Sequence, residues 1–228
     1  MTYQRYAIYY LPQPGPLADF GASWLGWDCQ TGQAAAHPVL EGLPRPVSEI
    51  TATPRKYGLH GTLKPPFYLA EGMDEAGLNT ALDALCASAA PLSLSPLELS
   101  QLGGFLALKI SGDQTPLADL ASRIVKELDA FRAPPSEAEL ERRRKRPLSD
   151  LQEANLAAYG YPYVMEEFRF HITLSGNLPK EDAAAVKAAL DPVITPLLPE
   201  RFEVRDLALL GSDAAGMFHL IRRVPLTG

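Results

Sequence analysis

The spacing of apolar positions changes repeatedly along the chain, and the changes mark the elements. Residues 3–11 are rich in Tyr and Ile and stop at Pro12-Gln13-Pro14-Gly15-Pro16, which predicts a strand and then a loop. A short helix is expected over 22–28, and a loop with little periodicity over 40–54. Residues 57–69 look extended, interrupted at Pro65-Pro66. Leu78, Leu82, Leu85 and Ala89 form a helical stripe over 74–89. Residues 92–99 and 105–110 alternate as strands, and Gly103-Gly104 between them supplies the positive φ of a hairpin. Thr115-Pro116 reads as an N-cap with Pro at the first helical position, followed by one apolar face: Leu117, Leu120, Ala121, Ile124, Leu128 and Phe131.

Ser136 and Glu139 have the spacing of a capping box, opening a further helix. Residues 148–158 predict a short helix closed by Gly160, and 167–174 a strand. A helix over 181–190 is expected to stop at Pro192, and strands at 202–210 and 217–224 flank a turn at 211–216. Hairpins mixed with single helices favour an α+β fold over a doubly wound parallel sheet. No low-complexity linker divides the chain, so residues 1–228 are expected to form one domain of two lobes.

Composition narrows the function classes. The chain has 228 residues, 46% hydrophobic and 21% charged, which is ordinary for a globular protein. No apolar run approaches the roughly 20 residues of a membrane span. The N-terminus lacks a basic stretch followed by an apolar one, so neither a secretory signal nor a membrane partner is expected, and a cytoplasmic location is. A net charge of −6 disfavours tight binding of long nucleic acid, which depends on many Lys and Arg. It leaves room for a small phosphorylated substrate in a locally basic pocket. Cys29 and Cys86 form no CxxC and suit a reducing compartment.

One internal echo carries chemistry. Tyr57-Gly58-Leu59-His60-Gly61-Thr62-Leu63 resembles Phe168-Arg169-Phe170-His171-Ile172-Thr173-Leu174, both reading His-x-Thr-Leu, 111 residues apart. The chain has only four histidines, and average residue frequencies put such a match at about 1 in 200 per His. In a strand, i and i+2 share a face. His60 and Thr62 therefore share one, with Lys64 if the strand stays regular; Arg169, His171 and Thr173 share another. Phe168, Phe170, Ile172 and Leu174 make the opposite face apolar. Two such strands side by side would gather two imidazoles, two hydroxyls and two cations around one cleft.

That set suits phosphodiester cleavage without a metal. One neutral His acts as general base and a protonated one as general acid, both roles favoured by a pKa near 6.5. The hydroxyls and cations hold the phosphate oxygens as charge grows. Neither motif carries an adjacent Cys or an i+4 His, so a zinc site of three or four ligands is not expected, and no cofactor is.

On these residues the chain resembles the 2H phosphoesterase superfamily, named for two His-x-Thr/Ser motifs on paired strands. It is most similar to the branch associated with bacterial phosphonate-metabolism operons (DUF1045-like). That similarity extends through residues 5–11, 24–26, 54–67, 103–108, 128–144 and 159–176. The resemblance implies a two-lobed α+β fold of pseudo-two-fold antiparallel sheets, outer helices and a central cleft. It also implies a cyclic phosphodiesterase in which His60, Thr62, His171 and Thr173 are catalytic. Lys64, Arg169, Tyr57 and Arg143 are the candidate substrate-binding residues.

The long separation of the motifs places a helical insert at about 131–163, which can act as a lid through the basic run Arg142-Arg143-Arg144-Lys145-Arg146. That run also reads as a solvated helix end balancing the helix dipole. Tyr159, Tyr161 and Tyr163 read either as packing of the insert or as a stacking surface for a base. Trp24 and Trp27, three apart, are expected on one helical face. His37 is expected to be exposed, and His219 to be structural or on the surface. A monomer is favoured. The alternative function is a non-catalytic module that holds a nucleotide or phosphometabolite in the same cleft.

Overall fold

The computed structural model describes residues 2–228. In chain order the strands and helices are β1 (Arg5–Tyr10), α1 (Pro16–Leu25), β2 (Trp27–Asp28), β3 (Gln33–Ala34), α2 (Val47–Ile50), β4 (Gly61–Phe67), α3 (Glu75–Ala87), β5 (Leu92–Leu94), β6 (Leu97–Leu102), β7 (Phe105–Ile110), α4 (Thr115–Glu127), α5 (Glu137–Arg143), α6 (Asp150–Tyr159), β8 (Ile172–Thr173), α7 (Lys180–Ile194), β9 (Phe202–Val204), β10 (Asp206–Ser212) and β11 (Phe218–Pro225). The class is α+β. Seven strands form one sheet in the order β11-β10-β1-β4-β8-β7-β6, and every neighbouring pair is antiparallel. The two half-sheets join edge to edge at β4 and β8.

Side-chain alternation divides the sheet into two different faces. Tyr6, Ile8 and Tyr10 of β1, Leu106 and Leu108 of β7, Ile172 of β8, and Leu207 and Leu209 of β10 enter the main core with the apolar sides of α3, α4 and α7. Tyr9 of β1 points the other way with Ala7, Ala208 and Leu210, and this second face carries the cleft. Trp24 of α1 is fully buried, and its indole N–H donates to the Leu174 carbonyl at 2.7 Å. A buried indole of this size removes roughly 150–250 Å² from water. It therefore pins the chain just past β8 to α1.

Several elements depart from the sequence expectations for local reasons. The first helix starts at Pro16, because Pro suits the first helical turn, and closes at Gly26 with φ 77. Trp27 consequently lies on β2, half-buried, and not on a helical face with Trp24. Gln114, not Thr115, holds the N-cap position of α4, with no side-chain capping bond. The capping box of Ser136 and Glu139 forms as expected. Pro192 sits inside α7 near its end and does not stop it. Residues 202–212 switch sheets: β9 pairs with β5, while β10 pairs with β1. His37 is half-buried, its Nδ1 3.1 Å from the Trp24 carbonyl. Cys29 and Cys86 are free and buried. His219 pairs with Asp213 at 2.9 Å.

Lys64 departs most from expectation. Thr62 pairs with Tyr9, Lys64 with Ile8 and Phe67 with Tyr6, so β4 gains a residue at each step. These bulges reverse the face parity past Thr62, and Lys64 enters the core beside Ile8, only 2% exposed. Its ammonium donates to the Val125 carbonyl at 3.1 Å and lies 3.6 Å from Asp129. Arg132 grips the same carboxylate at 2.8 and 3.1 Å and donates to the Ala158 carbonyl at 3.0 Å. The cluster thus ties β4 to both ends of the segment bearing α5 and α6.

Burial pushes the Lys64 amine down to about 8, and the nearby Asp129 offsets only part of this. Between pH 8 and the unfolded value near 10.4, the unfolded chain holds the proton that the folded chain has lost. Stability from this group therefore rises with pH across that window. Wild type should gain on the order of 1–3 kcal/mol relative to Lys64→Met between pH 7.5 and 10. Urea unfolding of both proteins at the two pH values checks this, and parallel stabilities would contradict it.

Candidate active site

The two His-x-Thr segments meet at one pair of residues. Gly61 of β4 pairs directly with Ile172 of β8. In an antiparallel pair this register sets His60 opposite Thr173 and Thr62 opposite His171. The local two-fold axis through the Gly61–Ile172 pair exchanges the two histidines and the two threonines. All four side chains lie on the face opposite Ile172, which is in the core, so they line the cleft. The histidines are diagonal neighbours, with backbones about 7–8 Å apart.

The motif glycine has a steric reason. A Cβ at Gly61 would lie 2.3 Å from Cε2 of Phe170. The Phe170 ring packs against Tyr10 and Phe202, with centroids 6.1 and 5.1 Å away, and its residue precedes His171. Gly61 therefore lets the aromatic wall under one motif seat the other.

The two imidazoles are oriented alike. His60 Nδ1 is 3.0 Å from the Gly58 carbonyl, and His171 Nδ1 is 2.8 Å from the Arg169 carbonyl. A carbonyl accepts, so each Nδ1 carries the proton and each Nε2 is left for chemistry. Gly58 has φ 70, and a Cβ there would meet Cys29 Sγ at 2.6 Å, so glycine suits the turn that aims its carbonyl. Enclosure pushes the His60 pKa down to about 4; the Gly58 hydrogen bond raises it slightly and the charge of His171 lowers it. Tyr9 stacks on His60 with centroids 4.1 Å apart. Its hydroxyl is buried and has no hydrogen-bond partner among the described residues, a cost of about 1–3 kcal/mol.

Two adjoining chambers share Thr62, Pro65 and Tyr161. The first, about 410 Å³, is lined by His60 and Thr173 with four cations, Arg5, Lys56, Arg142 and Arg143, and one carboxylate, Glu139. The second, about 430 Å³, holds His171 among apolar residues that include Phe105, Phe168 and Tyr163. The segment bearing α5 and α6 contributes to both chambers, and within it Arg143 sits 4.3 Å over the Tyr161 ring. No group of three or more His, Cys, Asp or Glu among the described residues is arranged to hold a metal ion.

Of the residues singled out in the sequence, His60, Thr62, His171, Thr173, Tyr57, Arg143 and Arg169 line this cleft. Tyr57 lies beside His60, with ring centroids 5.4 Å apart. Arg169 stands on the rim of the apolar chamber, its guanidinium donating to the Glu166 and Phe168 carbonyls at 2.7 Å. Lys64 is absent from it, for the bulge places it in the core. Phe168, assigned to the core face, also lines the second chamber, since residues 165–171 are a 3-10 turn and loop rather than regular strand. Arg5, Tyr9 and Lys56 were not foreseen. Arg5 and Tyr9 are in phase on one strand, a signal that the sequence does carry.

Residues 62–219 match the family described as "Protein of unknown function (DUF1045)". A protein of Janthinobacterium sp. (strain Marseille) named "Ribose 1,5-bisphosphate phosphokinase PhnN" is 39% identical over 184 residues, covering 80% of this chain and 41% of that protein. One of the same name from Laribacter hongkongensis (strain HLHK9) is 36% identical over 181 residues, covering 78% and 41%. The chain thus spans about two fifths of the length of these curated relatives. Among solved structures, E. coli LigT complexed with NADP+ is 16% identical with a TM-score of 0.47, covering 100% of both chains. A "phosphoesterase" crystal structure is 16% identical with a TM-score of 0.44, covering 99% of both. No described helix is long and apolar enough to cross a membrane.

Gly61→Ala should force Phe170 out of place. Overpacking of this kind costs about 1–3 kcal/mol, or a fall in the unfolding midpoint of roughly 3–10 °C, together with weaker binding of inorganic phosphate. Calorimetry on the purified variant reads both. A wild-type midpoint with wild-type phosphate affinity would show that the Gly61–Phe170 contact does not set the cleft.

Proposed function

The chain belongs to the DUF1045 family, and on that footing we propose that it is a metal-independent phosphoesterase of the two-histidine kind that opens a small ribosyl or nucleotide-like cyclic phosphate. The observation that carries this reading is the Gly61–Ile172 register, which sets two imidazoles with free Nε2 atoms on one face. The names of the two relatives add support. Opening a ribosyl 1,2-cyclic phosphate at O2 leaves the phosphate on O1, as in the ester their name states. Such a step belongs to phosphonate metabolism, as the family resemblance implies.

The chemistry balances on the residues present. His60, held neutral by its enclosure, accepts a proton at Nε2 from the attacking water. The water oxygen bonds to phosphorus and one ring P–O bond breaks. His171 delivers its Nε2 proton to the departing oxygen. The Thr62 and Thr173 hydroxyls donate to the non-bridging oxygens as their charge grows. Product release and proton exchange with solvent restore both rings. A module that merely holds a phosphate ester has no use for this matched pair.

His60→Ala and His171→Ala should each lower kcat by about 10²–10⁴ on a cyclic phosphate that wild type opens, with circular dichroism unchanged. Either variant at wild-type rate would end the two-histidine reading. EDTA should leave the rate intact, and inhibition reversed by added zinc or magnesium would end the metal-independent one. The pH profile should be a bell whose two apparent pKa values belong to the pair. Because enclosure lowers the His60 value in the free protein, the acid limb of kcat/KM should fall below pH 6. A bound phosphate stabilises the imidazolium, so the acid limb of kcat should lie higher. Coincident limbs, or a rate rising to pH 10, would contradict the assignment.

A further inference from the structure

The cation-lined chamber is larger and more basic than the reacting phosphate requires. A cyclic phosphate diester carries one negative charge, yet Arg5, Lys56, Arg142 and Arg143 line the chamber against the single carboxylate of Glu139. In a chain of net charge −6, such an accumulation is not background. Arg142 is only loosely paired with Glu139, at 3.9 Å. The other three cations face aromatic rings: Arg5 lies 5.5 Å from Phe218, Lys56 5.0 Å from Tyr57 and Arg143 4.3 Å from Tyr161. None of those three forms an ion pair among the described residues. Their charges are left for a ligand.

Arg5 is separated from the chemistry along β1, while Lys56 and Arg143 line the wall between it and His60. Arg5 and Tyr9 share a face of β1, four residues apart, which is roughly 14 Å of strand. Tyr9 marks the level of the reacting phosphate, because it pairs with Thr62 and stacks on His60. Charge-assisted hydrogen bonds to phosphate need about 2.7–2.9 Å, so Arg5 serves an anion farther out. The cations come from β1, from the turn before Gly58 and from the end of α5, and converge only in the folded chain.

We propose that this end of the cleft is a second phosphate site, and that the substrate carries a terminal phosphate monoester besides the phosphate that reacts. The assignment rests on the phosphoesterase reading and narrows it to doubly phosphorylated sugars or nucleosides. A dianionic monoester matches two or three guanidinium and ammonium donors better than a diester does. It also orients the substrate across a nearly symmetric pair of histidines, with its charged end on the His60 side.

The test compares binding of ribose 1,5-bisphosphate and ribose 1-phosphate by calorimetry at one ionic strength, so it needs no turnover. Hydrogen bonds to charged groups of this kind correspond to a roughly ten- to hundredfold gain in affinity. Wild type should bind the bisphosphate tighter by that factor, and Lys56→Met/Arg143→Met should narrow the gap to less than about threefold. Both positions are on the cleft wall and outside the core, and circular dichroism verifies the fold. Equal affinities in wild type, or a gap that survives in the variant, would overturn the second site. If the gap behaves as expected and no cyclic phosphate is opened, the reaction reading fails and the phosphate site stands.

Discussion

The antiparallel pairing of Gly61 with Ile172 is the constraint on which the site depends. β8 is two residues long and could not hold a position alone. It is held because Thr173 and Ile172 also pair with Ala107 and Leu108 of β7, because Leu174 N–H donates to the Leu106 carbonyl at 2.8 Å, and because Trp24 caps the Leu174 carbonyl from α1. Gly61 completes the arrangement by admitting Phe170. Shift this register by one residue and the cleft would lose one histidine to the core.

Symmetry about that pair explains why both histidines have the same hydrogen bond and the same free nitrogen. The surroundings then break the symmetry. On the His60 side lie four cations, and on the His171 side an apolar chamber. The difference arises largely from the segment bearing α5 and α6, whose Arg142 and Arg143 enter one chamber while Tyr163 and Val164 enter the other. Lys64, Asp129 and Arg132 secure the roots of that segment at β4. The lysine expected to touch substrate instead supports the wall from behind.

Much of this was legible in the sequence because it is local. The repeated His-x-Thr-Leu fixes which side chains share a face, and Ser136 with Glu139 fixes where α5 begins. What was hidden depends on distant partners. Nothing near Lys64 announces bulges against β1, although Pro65-Pro66 warned of irregularity. The regular strand expected over 167–174 shrinks to two residues because 165–167 turn tightly, with Met165 at φ 54. The strand expected over 202–210 breaks at Arg205 because its two parts have different partners. Arg5 and Lys56 join Arg142 and Arg143 only through the fold, so the basic run at 142–146 shows half of the cluster and nothing in the chain shows the other half.

The central claim is that two Nε2 atoms, one from each half-sheet, face a single bound anion. Nitrogen-15 NMR of the histidine rings, with and without inorganic phosphate, tests it most directly. The account predicts that His60 and His171 both hold their proton on Nδ1 in the neutral form, and that phosphate shifts both Nε2 resonances together with one affinity. A response from only one ring, or separate affinities for the two, would contradict it.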